Sequence, residues 1–298
     1  MKFLSFIYEG KNRYGILNND STSVIDLKII LNKLNYKIPK DLLEYIQIYS
    51  NNLDKEIKKS INQNTYEEIP LENIKILAPI PHPRRNVFCL GKNYADHAKE
   101  VDSLPNIDSS IPKHPIYFTK IADPAIGHMD NIIIPTEYTE NLDYEVELAI
   151  IIGKEGKNIS PDNVEEYIFG YTIGNDISAR DIQTKHIQWF KGKSLDTTTA
   201  LGPYIVSKSK IKLPVELDIR CKINGEIRQS SNTRNLIFNI PYIISDLSQG
   251  LTLKPGDIIL TGTPAGVGAG FKPPKYLKPG DKIESIIEDI GTLINFVK

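Results

Sequence analysis

The chain has 298 residues, 40% hydrophobic and 24% charged, which is too apolar for general disorder and long enough to bury a large core. Lysine and arginine number 36 against 37 acidic residues, so the net charge of -1 provides no basic excess to recruit nucleic acid or an anionic membrane. Cys89 and Cys221 lie far apart and form no CxxC pair, which argues against a disulfide framework or a zinc knuckle and fits a cytoplasmic location.

The N-terminus turns charged at Glu9 before the apolar region of a signal peptide forms, so no leader is expected. No apolar run approaches the roughly 18 residues that span a bilayer. Phe3 to Leu17 alternates apolar and polar residues around Glu9-Gly10-Lys11-Asn12 and predicts a small hairpin. From Asp26 to Asn62, Leu27, Ile30, Leu31 and Leu34, then Leu42, Leu43, Tyr45 and Ile46, fit two amphipathic helices. Residues 1–77 hold no cluster of His, Cys or carboxylates and read as a small α+β structural or interface domain.

Pro79, Pro81 and Pro83 mark a stiff extended linker, because each ring fixes φ and disfavours helix before it. Residues 78–298 form the second domain, strand-rich from about Asn86 onward. Asn224-Gly225 predicts a type I′ hairpin. Pro255-Gly256-Asp257 and Pro279-Gly280-Asp281 predict two further turns, each followed by a β-branched run. Pro241 to Gln249 reads as a short helix closed by Gly250. The expected fold class is a β-dominated α+β protein.

Asp143-Tyr144-Glu145-Val146-Glu147-Leu148-Ala149 carries the most informative chemistry. Alternation along a strand sends Glu145 and Glu147 to one face, with Asp143 just before them. Taken alone, this reads as a solvated Glu-x-Glu strand face. Tyr171 to Asp176 is a second short strand ending in an acid, followed by Arg180, Asp181 and Gln183. If Asp176 meets Glu145 and Glu147, the ligands are three oxygens with no nitrogen or sulfur. Such a set suits Mg²⁺, Mn²⁺ or Ca²⁺ and not zinc.

His97 and Glu100 lie three apart within Tyr94–Val101, a segment able to form a helical turn. On one face they form an imidazole oriented by a carboxylate, a general base towards water, or else an ordinary solvated pair. His82, His114, His128 and His186 have no such partner and read as surface or packing residues. Lys193 follows Trp189-Phe190-Lys191-Gly192 and either enters a pocket or stays on the surface of a strand. Thr261 to Gly268 lacks the pattern of a nucleotide loop, but its N–H groups and hydroxyls could hold a small carboxylate.

In chain order these stretches resemble the fumarylacetoacetate hydrolase family. Gly91–Glu100 is similar to its G-x-N-Y-x-x-H-x-x-E lid, and Asp143–Gly153 to its D-Y-E-x-E-L-A strand. Gly174–Gln183, Gly192–Asp196 and Thr261–Gly268 match three further motifs. The resemblance implies a mixed β-sandwich roll, a Mg²⁺ or Mn²⁺ site and a homodimer acting on a small keto acid. Glu145, Glu147 and Asp176 would be metal ligands, and His97 with Glu100 and Lys193 would be catalytic. Arg180, Gln183 and Thr263 would bind substrate. The N-terminal unit and Phe271–Leu277 look closest to a bacterial subgroup that decarboxylates oxaloacetate. Ala200 departs from a proline found in many relatives. Oxaloacetate decarboxylation is the first expectation, with acylpyruvate hydrolysis, tautomerisation or isomerisation as alternatives on the same site. A binding protein on an enzyme scaffold is the alternative of a different class.

Overall fold

A computed structural model describes residues 1–100 and 110–298. The chain begins with β1 (Lys2–Tyr8), β2 (Lys11–Leu17) and β3 (Ser23–Asp26), then α1 (Leu27–Lys33), α2 (Leu42–Ile48) and α3 (Asn51–Gln63). Short strands β4 (Ile69–Pro70) and β5 (Lys75–Ile76) follow, then β6 (Val87–Gly91), α4 (Ala95–Glu100), β7 (Ile116–Lys120) and β8 (Asn131–Ile132). The central strands are β9 (Leu142–Asp143), β10 (Val146–Ile152), β11 (Ile168–Asp176), β12 (Ser178–Ala179) and β13 (Thr199–Ser207). Helix α5 (Val164–Tyr167) precedes β11, and α6 (Arg180–Lys185) and α7 (Phe190–Lys193) precede β13. The remainder is β14 (Asp218–Ile223), β15 (Glu226–Asn232), α8 (Ile240–Leu247), β16 (Ile258–Leu260), β17 (Lys282–Ile287) and β18 (Gly291–Val297).

One large sheet runs β4-β3-β2-β1-β13-β11-β10-β16-β6-β7, with β5 also on β1, and a five-stranded sheet runs β15-β14-β17-β18-β8. The β16–β6 and β18–β8 pairs are parallel and the rest antiparallel, so both sheets are mixed. The expected β-dominated α+β class is the observed one. Strand β10 explains the layering. Leu148, Ile150 and Ile152 enter a core shared with Ile219, Cys221, Ile283 and Leu293 of the smaller sheet. Ala149 and Ile151 face the opposite core, shared with Ile30, Tyr45, Leu53 and Phe169. A strand buried on both faces needs apolar residues at every position, and Val146–Ile152 supplies them except at Glu147.

Three helices occupy Leu27 to Gln63 where two were expected. Asp26, Asp41 and Ser50 each accept a main-chain N–H of the following first turn, so each restarts a helix. The N-terminal turn is tighter than the expected four residues: Tyr8 pairs with Lys11 across Glu9-Gly10 alone. Asn224 and Gly225 have φ of 51° and 84°, the conformation of the expected type I′ hairpin. In both Pro-Gly-Asp turns the aspartate accepts the N–H three residues earlier, Asp257 from Lys254 (2.6 Å) and Asp281 from Lys278 (2.8 Å). The expected helix at Pro241–Gln249 is α8, capped by Asn239. Lys2 and Phe3 pair with Val206 and Ile205, so β1 enters the same sheet as the strands that carry the carboxylates. The expected boundary at residue 77 falls between β5 and the proline stretch. No helix among the described residues is long and apolar enough to cross a membrane.

Candidate active site

Antiparallel pairing of β10 with β11 sets Glu147 opposite Gly174, and the Asp176 N–H donates to the Glu145 carbonyl (2.9 Å). Strand alternation puts Glu145 and Glu147 on one face, and the pairing brings Asp176 to them. One oxygen from each of the three lies within 4.8 Å of the others, and all three residues are buried. The bland reading of a solvated acidic face is therefore not what the fold produces.

Three buried cations hold this cluster. Lys193 Nζ, at the end of α7, lies 2.6 Å from Glu145 Oε2 and 2.8 Å from Asp176 Oδ2. Its ammonium also sits 5.2 Å from the centre of the Phe118 ring. Lys193 thus enters the interior from a short helix, and not from the strand assumed for its surface alternative. Arg180, the first residue of α6, reaches Asp143 Oδ2 through Nε (2.8 Å) and Glu145 Oε1 through Nη1 (2.7 Å). Lys120 Nζ, from the end of β7, lies 2.6 Å from Asp176 Oδ1.

Among the described residues Asp143, Glu145 and Asp176 are ion-paired to Lys120, Arg180 and Lys193, and Glu147 joins the cluster without an ion pair. Burial opposes ionisation of Glu145, but Lys193 and Arg180 outweigh it and hold that carboxyl below its usual range. Glu147 has no ion pair among the described residues, and the charge of Lys193 and the Gly262 N–H favour its ionised form only in part. Burial first, then the charges of Asp176 and Glu145, push its carboxyl well up. Burial also opposes the Lys193 charge, yet Asp176 and Glu145 keep the ammonium above the ordinary lysine range. Three close, buried oxygen donors, one of them without an ion pair among the described residues, fit a hard divalent cation, and the absence of nitrogen or sulfur among the three disfavours zinc.

Helix α4 brings the expected pair together: His97 Nδ1 is 3.3 Å from Glu100 Oε2. Val101, the last residue of the expected turn, lies outside the described residues. Both Glu100 oxygens also accept the Gly266 N–H (2.8 and 3.0 Å). The Asn93 carboxamide fixes the entry to α4, accepting from Phe238 N and donating to the Phe238 and Thr261 carbonyls.

Three amides of the Thr261–Gly268 loop bind the protein's own acids, while Thr263 of the same loop lines the cavity. Gly262 N donates to Glu147 (2.6 Å), Gly266 N to Glu100, and Gly268 N to Asp143 (2.6 Å). A buried carboxyl oxygen left without a donor is costly, so the acids packed against the loop take up these N–H groups.

His97, Glu145, Glu147, Arg180, Gln183, Lys193 and Thr263 line one small cavity of about 30 Å³, together with Lys92, Phe118 and Trp189. Asp176 stands behind Lys193, and Glu100 meets the cavity through His97. Arg180 and Gln183 are joined to each other, Nη1 to Oε1 (3.0 Å). Thr263 Oγ1 donates to the Val146 carbonyl and accepts from Gln229. Ala200 of β13 pairs with Asn175 of β11 and is not among the cavity-lining residues.

Sequence reasoning missed Lys120, Trp189, Phe118 and Gln229. Trp189 left a signal, as the sole tryptophan and a neighbour of the Gly-Lys motif. It packs on Gly91, where an added Cβ would lie 2.3 Å from the indole. Lys120 left none, because every partner of its ammonium is remote in sequence.

Residues 86–298 match the family model described as fumarylacetoacetate (FAA) hydrolase C-terminal. The oxaloacetate tautomerase YisK of Bacillus subtilis is 52% identical over 225 residues, covering 76% of this chain and 73% of that protein. A fumarylacetoacetate hydrolase structure from Exiguobacterium antarcticum is 38% identical with a TM-score of 0.82, covering 100% and 99% of the two chains. Maleylpyruvate hydrolase from Sphingobium sp. SYK-6, solved with manganese(II) and pyruvate, is 26% identical with a TM-score of 0.79, covering 100% and 98%.

Proposed function

The chain belongs to the fumarylacetoacetate hydrolase family of enzymes, and on that premise we propose that it interconverts the keto and enol forms of oxaloacetate with a bound Mg²⁺ or Mn²⁺. The observation that carries this reading is that His97 and two carboxylates of the oxygen triad line the same cavity. Glu145, Glu147 and Asp176 would hold the cation, which supplies Lewis acidity towards a keto oxygen.

Tautomerisation removes one proton from C3 and places one on the C2 oxygen, with no bond between heavy atoms broken. His97 is the cavity-lining imidazole suited to exchange the C3 proton, since Glu100 engages Nδ1 and leaves Nε2 for that exchange. Lys193, kept cationic by Asp176 and Glu145, serves as a positive charge towards bound carboxylate and not as the base. Arg180 contributes a second cation. Cations stabilise substrate carboxylates as anions, which favours proton transfer retaining both groups over loss of one as CO₂. The similarity to YisK supports the same choice over the decarboxylation first expected.

The test follows the enol absorbance of oxaloacetate with Mn²⁺ or Mg²⁺, against EDTA-treated protein and metal alone, with pyruvate release and acylpyruvate cleavage measured in parallel. Protein-dependent enol decay without pyruvate is the expected result. Pyruvate formed as fast as the enol decays would replace this reading with decarboxylation. Cleavage of acylpyruvate alone would replace it with hydrolysis.

A further inference from the structure

Lys120 is a lysine with no exposed surface, and it does not line the cavity. Its ammonium has three N–H donors and meets three acceptors: Asp176 Oδ1 (2.6 Å), the Thr198 carbonyl (2.6 Å) and the Ile177 carbonyl (3.3 Å). The geometry points to Lys120 as the positioning residue of the metal site, anchoring Asp176 so that its carboxylate meets Glu145 and Glu147. The inference rests on the reading that these three acids hold a divalent cation.

The two lysines on Asp176 differ in kind. Lys193 binds Oδ2, lines the cavity and is bonded to acid side chains. Lys120 binds Oδ1 and is fixed by two main-chain carbonyls, one before β13 and one just after β11. The Ile177 carbonyl is on the residue after Asp176 and the Thr198 carbonyl immediately precedes the strand paired with it, so the ammonium ties the carboxylate to its own strand end and to the strand beside it. All donors of Lys120 are used, which leaves it no proton to offer a substrate.

A positioning role and a purely electrostatic one predict opposite signs. A buried cation beside a ligand repels a divalent ion, so removing it should tighten binding if charge is all that matters. Loss of an anchor should weaken binding, by about 10- to 100-fold for a residue that orients a ligand. The experiment titrates Mn²⁺ into the EDTA-stripped full chain, following free Mn²⁺ by electron paramagnetic resonance, with circular dichroism as a fold check. Wild type, Lys120→Met, Asp176→Asn and the double variant are compared.

The expected result is at least tenfold weaker binding in Lys120→Met, with no further loss when that change is added to Asp176→Asn. Equal or tighter binding in Lys120→Met overturns the inference, as does additive loss in the double variant. If the methionine variant does not fold, Lys120→Gln is read by the same criterion of weaker against equal or tighter binding. Absence of Mn²⁺ binding in wild type would instead refute the cation reading on which the inference rests.

Discussion

Arg180 and Asp143 form a wholly buried ion pair, Nε to Oδ2 at 2.8 Å, and Asp143 also accepts the N–H groups of Gly268 (2.6 Å) and Ala269 (2.9 Å). One acid thus joins the guanidinium beside Glu145 to the glycine loop that also holds Glu147 and Glu100. Asp143→Ala leaves a buried guanidinium short of a partner and two loop amides unbonded. It should destabilise the protein by about 3–5 kcal/mol, measured by urea unfolding. A loss below about 1 kcal/mol, the scale of one ordinary hydrogen bond, would contradict this account of the pair.

Glu147→Gln removes an acid whose charge is opposed by burial and by Asp176 and Glu145. In EDTA this variant should therefore melt above wild type. Mn²⁺ should raise the Tm of wild type, by linkage worth about 2.7 kcal/mol at a hundred times Kd, and leave the variant unchanged. Equal Mn²⁺-induced shifts would remove Glu147 from the ligand set.

His97→Ala should slow protein-dependent hydrogen–deuterium exchange at C3 of oxaloacetate by about 10²- to 10⁴-fold, the usual contribution of a positioned acid–base group. Mn²⁺ affinity should stay within about twofold, less than 0.5 kcal/mol. Nuclear magnetic resonance and a metal titration on one sample check both. Wild-type exchange rates would take His97 out of the proton transfer.

Gly270 lies where an added Cβ would stand 2.1 Å from Glu100 Oε1. Its φ is not in the left-handed region, so Gly270→Ala acts mainly by pushing the Glu100 carboxylate from Gly266 and His97. Turnover should fall to the level of Glu100→Ala, and the double variant should be no worse than either. Independent losses in the steady-state assay would show that the alanine acts elsewhere.

His128 is half-buried and accepts the Ile294 N–H at Nδ1 (3.3 Å). Burial pulls its imidazole below the ordinary histidine value, outweighing a main-chain hydrogen bond at Thr292 and the charge of Asp130. Between that lowered value and about 6.5 the unfolded chain binds more protons than the folded one. Stability from this site is thus present above about pH 6.5 and lost as pH falls through the folded value. His128→Asn should flatten that part of the urea midpoint against pH curve; an unchanged slope would assign the dependence to other groups.

Much of the site was legible because its signals are local. Strand parity aligned Glu145 with Glu147, three-residue spacing paired His97 with Glu100, and Asn224-Gly225 named its own turn, since each depends only on backbone geometry over a few residues. The third helix was missed because Ser50 was not read as a cap that restarts the chain after Tyr49.

What only the tertiary structure decided is which distant segments share one dry interior. The anchoring of Asp176 by Lys120 spans 56 residues, and the capture of Asp143 by the glycine loop spans 125. The amides of Gly262, Gly266, Gly268 and Ala269 turn inward, because the buried acids Glu147, Glu100 and Asp143 need donors there. By itself the sequence determined which residues carry charge and which way a strand or helical turn presents them. It did not determine their partners: a charge removed from water is tolerable only where an opposite charge or a hydrogen-bond donor converges on it, and convergence belongs to the packing of the whole chain.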